Sequence, residues 1–279
     1  MKKEQMISGH MELQQDVFLN YQYYVQRASQ ETLVFIHAHS VDRRMWEPQV
    51  EHFASRYSIL CYDLRGYGKS SMPLEGQPFL HAEDLRALLE HLNIETAHLI
   101  GLSLGSFVAL DFWVLYPEYV QSVTVASGAI PDPKPDVLTP LVTDVPRFKQ
   151  AWFERLLEGC GEDRNGYQHR LLTMIGDWKV WQSTHREPDC ILGKALLPKL
   201  TAMQDPGPVC VVNGAKDFPG AHHSADRLLE CMPHAISINL PEAGHFSNME
   251  ATDEFNAALQ AFLDKGEYHN DSKSDSTRL

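Results

Sequence analysis

Positive charge is in short supply in this sequence. Its 279 residues carry 24 lysines and arginines against 37 aspartates and glutamates, a net charge of −13. Such a surface repels phosphate backbones and anionic headgroups, so neither nucleic acid nor a membrane is expected as a partner. Paired cysteine is missing too: Cys61, Cys160, Cys190, Cys210 and Cys231 are scattered, odd in number and form no C-x-x-C. In a chain of this length that predicts reduced thiols in a cytoplasm, not a disulfide framework. The opening MKKEQMISGHMELQQD has no apolar stretch of leader length, and secretion is not expected.

Long uncharged runs are scarce. Leu99 to Tyr116 is the exception, 18 residues with Asp111 as its single charge. That is close to the length of a membrane span. Gly101, Ser103, Gly105 and Ser106 interrupt it, however, and predict a buried strand, a sharp turn and a buried helix. With 43% hydrophobic and 22% charged residues, the chain is an ordinary globular one able to build a sizeable core.

Cofactor and metal signatures are absent as well. Gly68-Lys69-Ser70 ends like a phosphate-binding loop, but Asp63 stands where its first glycine belongs. Asp63 and Arg65 are expected to pair and fix that turn. His37-Ala38-His39 and His222-His223 have no third ligand at recognisable spacing, and neither H-E-x-x-H nor a dinucleotide fingerprint occurs. No metal and no cofactor are expected, and no oligomeric state is read.

What the chain does contain is alternating strand and helix signals. Thr32 to Ala38 and Tyr57 to Tyr62 are apolar runs of strand length, with helical spacing from about Trp46 to Arg56 between them. Leu85, Leu88, Leu89 and Leu92 make an i, i+3, i+4, i+7 stripe. Ala97 to Ile100, a helix from about Leu104 to Tyr116, and Val120 to Ala126 continue the pattern, which implies an α/β fold with a parallel sheet. The alternation then breaks. IPDPKPDVLTP, from Ile130 to Pro140, holds four prolines, and helix-like pieces rich in Trp152, Phe153, Tyr167, Trp178 and Trp181 follow to about Pro208. Those aromatics are read first as packing between helices and second as pocket lining. Strands return at Val209 to Val212 and Ile236 to Leu240, around a helix from about Ala221 to Met232. A last helix carries Phe255, Leu259 and Phe262.

Gly101-Leu102-Ser103-Leu104-Gly105 is a G-x-S-x-G sequence between a predicted strand and a predicted helix, the setting in which this motif presents a nucleophile. The alternative is a structural turn. A serine hydroxyl needs a base to take its proton. His245, in a loop after the last predicted strand, is the candidate, although a surface histidine would read the same way without Ser103. Asp217, after the Val209 strand, is the candidate to orient His245, or else a turn or cap aspartate.

These residues resemble the α/β-hydrolase fold family, from about Gln14 to Lys265. The chain order Ser103, Asp217, His245 is that family's nucleophile, acid and base order. Phe35-Ile36-His37-Ala38-His39 resembles its strand-to-loop segment, and Asp63-Leu64-Arg65-Gly66-Tyr67-Gly68-Lys69-Ser70 its D-x-R-G-x-G-x-S turn. The resemblance implies a mostly parallel central sheet flanked by helices, with a helical cap inserted after the sixth core strand. The core would be residues 1–130 and 209–266, the cap 131–208, and 267–279 a disordered tail. It also implies an oxyanion hole made by the backbone N–H groups of His39 and Leu104. Ala38 replaces the family's usual glycine. If that position takes positive φ, alanine costs roughly 1 to 2 kcal/mol.

The function implied is a serine hydrolase, carboxylesterase- or lactonase-like, acting on a small-molecule ester or lactone through an acyl-enzyme. The alternatives are a C–C bond hydrolase or haloperoxidase-like perhydrolase on the same triad, and a ligand-sensing or partner-binding protein of the same fold. Serine at position 103 argues against the aspartate-dependent dehalogenase and epoxide hydrolase branches. His185, Arg186 and Arg170 are the cap residues that could bring charge to a pocket, with an exposed helix face as the first reading of each.

Overall fold

Thr32–Ile36 and Ser58–Tyr62 are buried at every position, as strands covered on both faces must be. The computed structural model describes residues 5–132, 140–185, 189–204 and 207–274, with side chains for 6–265 within those limits. In chain order the elements are β1 (Gln5–Gln14), β2 (Val17–Val25), β3 (Thr32–Ile36), α1 (Glu47–Phe53), β4 (Ser58–Tyr62), α2 (His81–His91), β5 (Ala97–Leu102), α3 (Leu104–Leu115) and β6 (Val120–Ala126). Then come α4 (Val145–Leu157), α5 (Tyr167–Asp177), α6 (Trp181–Thr184) and α7 (Leu196–Thr201). The chain ends with β7 (Val209–Gly214), α8 (Pro219–Cys231), β8 (Ile236–Leu240), α9 (Ser247–Glu250) and α10 (Thr252–Ser274).

The eight strands form one sheet in the order β1-β2-β4-β3-β5-β6-β7-β8. It is parallel from β4 to β8, and β1 and β2 add antiparallel at one edge. The protein is therefore an α/β fold with a mostly parallel sheet between helices. The β1–β2 hairpin is not among the strands expected from the sequence. Its signal was the period of two in Val17, Leu19 and Tyr21, all buried. Asp16, at φ 65°, makes the turn between the two strands.

Alternation along the strands sorts the interior into two cores. Val34, Ile36, Leu60, Leu99, Val123 and Val125 face α2, α3 and α8, where Leu85, Leu88 and Leu89 supply the predicted stripe. Leu33, Phe35, Ile59, Ile100 and Val212 face the other way, onto Trp46, Phe53 and the Phe255, Leu259 and Phe262 stripe of α10. Each such fully buried side chain contributes about 1.5 to 3 kcal/mol. The sheet order reverses at β3: α1 leads outward to β4, and α2 returns to β5 on the opposite side. A crevice opens at that reversal beyond the carboxyl ends of β3 and β5.

β3 stops two residues short of the expected Ala38, because the chain leaves the sheet there. His37 Nε2 accepts the Leu64 N–H at 2.9 Å and its Nδ1 donates to the Ala38 carbonyl at 2.7 Å. The expected Asp63–Arg65 pair is not formed. Asp63 instead accepts the Arg43 guanidinium at 2.8 Å and the Lys69 N–H at 2.9 Å. Arg65 grips Asp84 through two hydrogen bonds, one of 2.9 Å from its Nε and one of 2.5 Å from its Nη2. The turn wraps Asp63 so closely that a Cβ on Gly68, at φ +50°, would meet its carboxylate at 2.4 Å. Arg65 is left to α2, where it is buried against Asp84.

Leu99 to Tyr116 divides into β5, a turn and α3. Among the described residues no helix is long and apolar enough to cross a membrane. Between β6 and β7 the described residues contain helices and no strand, and Leu192, in that segment, donates its N–H to Asp111 Oδ2 at 2.6 Å. α10 runs to Ser274, into the tail expected to be disordered, and 275–279 lie outside the described residues.

Asp111 is 1% exposed and its other oxygen has no partner. Burial raises its pKa to about 7, opposed by the Leu192 N–H and more weakly by Lys199. Its folded pKa thus lies above its unfolded one, so the native state holds the extra proton between about pH 4 and 7. Stability contributed by the neutral acid is lost as pH rises through that window. Asp111→Asn is expected to remove this slope, stabilising the protein at pH 8 by up to about 4 kcal/mol and at pH 4 hardly at all. Urea midpoints at the two pH values would show it, and an equal change at both would contradict it.

Candidate active site

Ser103 sits between β5 and α3 at φ 53°, ψ −112°, a conformation that side chains rarely adopt. The turn is as tight as its glycines suggest. A Cβ on Gly101 would lie 2.1 Å from the Gly105 carbonyl oxygen, and one on Gly105 would lie 2.0 Å from that of Ile36. Only glycine lets the first turn of α3 press against β5 and β3, and that pressure projects Ser103 above the sheet edge. The turn is pinned by the Ser103 N–H donating to the Ala126 carbonyl at 2.8 Å. Leu104 begins α3, and the Ser106 N–H in its first turn donates back to the Ser103 carbonyl at 2.9 Å.

Asp217 follows β7 in a turn closed by its own N–H on the Gly214 carbonyl at 3.1 Å. Its side chain is fully enclosed, and Oδ1 accepts the Phe218 N–H at 2.6 Å and His245 Nδ1 at 2.7 Å. Because a carboxylate only accepts, Nδ1 carries the proton and Nε2 is left with its lone pair. Phe218 and Phe246 stand edge-on to the His245 ring, with centroids 5.5 and 5.3 Å away.

Ser103 and His245 open onto one cavity of about 380 Å³. His39, Phe218 and Phe246 add to its wall from the core, and Trp152, Arg155 and Leu156 from α4. The structure thus brings Ser103, His245 and His39 to a single cavity, with Asp217 behind His245. A larger surface groove of about 680 Å³ contains none of Ser103, Asp217, His245, His39 and Leu104.

The strain expected at Ala38 falls elsewhere. Ala38 is not among the residues of positive φ, whereas Ser40 is, at φ 64°. The Ala38 N–H is instead turned onto Met45 Sδ at 3.3 Å. The Ser40 hydroxyl accepts Trp152 Nε1–H at 2.8 Å, which ties this loop to α4. The His39 imidazole, read from the sequence only as a backbone donor, stands edge-on to Tyr67, Trp152 and Trp178. Its Nδ1 is buried without a partner. Burial, and secondarily the charge of His37, lower its pKa to about 4, so it is neutral at pH 7.

Of the cap residues that could have brought charge, neither of the two described ones lines the cavity. His185 stacks on Trp181 and Arg170 borders the outer groove. Arg186 lies outside the described residues. The charged side chain on the cavity is Arg155, which lies over the Phe218 ring at 5.0 Å and pairs with Glu158. Its signal was helical spacing: Trp152, Arg155 and Leu156 share one face of α4 at i, i+3 and i+4. Trp152 both packs against Phe148 and Trp178 and lines the cavity. Among the described residues no group of three or more His, Cys, Asp or Glu is arranged to hold a metal ion.

Residues 33–258 match the model of the alpha/beta hydrolase family. The chain belongs to that family. As a member it is a hydrolase. It is 28% identical over 265 residues to 3-oxoadipate enol-lactonase 2 of Acinetobacter baylyi, covering 89% of this chain and 94% of that one. Among solved structures, the enol-lactonase from Burkholderia xenovorans LB400 superposes with a TM-score of 0.72 at 22% identity, covering 88% of this chain and 96% of that one. An esterase from Exiguobacterium antarcticum gives 0.75 at 18% identity, covering 92% of this chain and all of its own. At those identities the two structures speak for the α/β-hydrolase fold alone.

Proposed function

We propose that this alpha/beta hydrolase is a serine hydrolase cleaving small carboxylic esters or lactones, with Ser103 as nucleophile, His245 as base and Asp217 as its orienting acid. One observation carries the reading. Ser103, on its strained turn, shares a cavity with a histidine whose Nδ1 is committed to a buried carboxylate at 2.7 Å. The relatives add support, since an enol-lactonase matches nearly the whole chain.

In the proposed reaction Ser103 Oγ attacks the carbonyl carbon as its proton passes to His245 Nε2. The oxyanion is received by the N–H groups of Leu104 and His39; one such donor is worth about 3 to 4 kcal/mol in comparable sites. The tetrahedral intermediate collapses to the acyl-enzyme, and the leaving alkoxide takes the proton from His245. For a lactone that alcohol stays attached to the acyl group. Water then repeats the sequence and the acid departs, leaving Ser103 with its proton. No cofactor enters these steps. Residues 131–208 act as the cap, with α4 closing the cavity over Ser103.

The walls limit the substrate. Trp152, Leu156, Phe218 and Phe246 make the cavity mostly apolar, and about 380 Å³ suits a small ligand. Labelling with a fluorophosphonate and digestion is expected to place the adduct on Ser103, and a panel of short-chain esters and lactones is expected to be turned over. Folded protein that takes no label on Ser103 would refute the mechanism. Turnover confined to C–C substrates or to peracid formation would move the chain to another reaction on the same triad.

A further inference from the structure

The loop carrying His245 is held by more than the strand before it. Glu250, 7% exposed at the end of α9, is the hub. Its Oε2 accepts the N–H of Gly244 at 2.7 Å and of Gly161 at 2.5 Å, and its Oε1 accepts the N–H of Phe246 at 2.7 Å. Gly244 and Phe246 are the two neighbours of His245, whose own N–H donates to the Gly159 carbonyl at 2.7 Å. Three consecutive amides around the base are therefore fixed, two of them by one carboxylate.

Gly159 and Gly161 lie just past α4, in the segment between β6 and β7 whose helix walls the cavity. Here backbone touches backbone. A Cβ on Gly244 would lie 2.2 Å from the Gly159 oxygen, and one on Gly161 would lie 2.4 Å from the Glu242 oxygen. Tyr167 at the start of α5 donates its hydroxyl to the Gly161 carbonyl at 2.8 Å, and Asn165 Nδ2 donates to the Met249 carbonyl at 2.7 Å. The Cys160 thiol adjoins the same carboxylate; burial, then the charge of Glu250, pushes its titration up and keeps it protonated.

A carboxylate this buried survives only when fully hydrogen-bonded, and amide donors to a charged acceptor are among the stronger hydrogen bonds. Glu250 is not on the wall of the cavity that Ser103 and His245 share, so it acts through the backbone. We infer that Glu250 is a positioning residue for His245, and that through Gly161 it ties the place of the catalytic base to the segment that closes the cavity. The inference rests on the proposed role of His245. A base displaced by about 1 Å forfeits on the order of 100-fold in rate, which is the scale at which such a clamp matters.

Glu250→Gln keeps the side-chain volume but turns an NH₂ toward amides that need an acceptor. With p-nitrophenyl acetate as probe, kcat is expected to fall about 10- to 100-fold, with KM within about 3-fold of the wild type. The rate of fluorophosphonate labelling should fall by the same factor, while circular dichroism at the assay temperature stays unchanged. Tyr167→Phe frees the Gly161 carbonyl without touching Glu250 or His245, and is expected to lower kcat by about 3-fold or more at unchanged KM. It decides the matter if Glu250→Gln does not fold. Wild-type kcat in folded Glu250→Gln, or in Tyr167→Phe where the first variant does not fold, overturns the inference. So does a change confined to KM. Wild-type turnover that survives Ser103→Ala would instead remove the reading on which the inference stands.

Discussion

Ser103→Ala is expected to reduce kcat on p-nitrophenyl acetate by on the order of 10⁵-fold or more and to abolish fluorophosphonate labelling. The size follows from the chemistry, because without Oγ no acyl-enzyme forms and His245 has no proton to take. Stability should barely change. Alanine has the same Cβ as serine, and it is the Cβ that makes φ 53° costly at this turn. Ser103→Gly separates the two effects. It should be equally inactive yet more stable by about 1 kcal/mol, because glycine adopts that backbone conformation freely. Urea denaturation of the three proteins beside their ester turnover checks both halves. An alanine variant within tenfold of wild-type turnover would remove Ser103 from the mechanism.

Asp217→Asn comes second, with an expected loss in kcat of about 10⁴-fold. The carboxamide matches the carboxylate in size, so the fold should hold. What changes is the charge. Asp217 Oδ1 accepts from Nδ1 of His245 and from the Phe218 N–H, and its Oδ2 is buried without a partner. Asparagine loses the charge in either orientation. With its oxygen at the Oδ1 position both donors are kept, but the imidazolium that forms on His245 has no counter-charge. With its NH₂ there, Nδ1 must accept, the ring proton moves to Nε2, and the lone pair that should receive the Ser103 proton is gone. Burst kinetics should show acylation slowed with KM little affected. A loss under tenfold would mean that another group orients His245.

Much of this was legible in the sequence because it depends on local sterics and on chain order. G-x-S-x-G between a strand and a helix reports a turn that only glycines permit, and Gly101 and Gly105 meet backbone oxygens near 2 Å in the fold. The alternating apolar runs could be assigned to a parallel sheet because strands covered on both faces have to be apolar throughout. The β1–β2 hairpin escaped because its pattern is half polar, as befits the sheet edge. The expected Asp63–Arg65 pair does not form, because closeness in sequence is not closeness in space. Asp63 pairs with Arg43, earlier in the chain, and Arg65 with Asp84, later in it.

The sequence by itself determined the α/β class, the mostly parallel sheet, and which serine, aspartate and histidine stand at the ends of its strands, since period and order along the chain are local properties. The tertiary structure decided what surrounds them. Trp152, Arg155 and Leu156 reach the cavity only because α4 folds back over Ser103. The His39 pKa falls to about 4 chiefly because burial, among three aromatic rings, takes its water away. Glu250 joins the His245 loop to the segment that walls the cavity only because Gly161 returns to it from 89 residues away. Contacts between distant segments leave no periodicity to read, so they appear only once the chain has closed on itself.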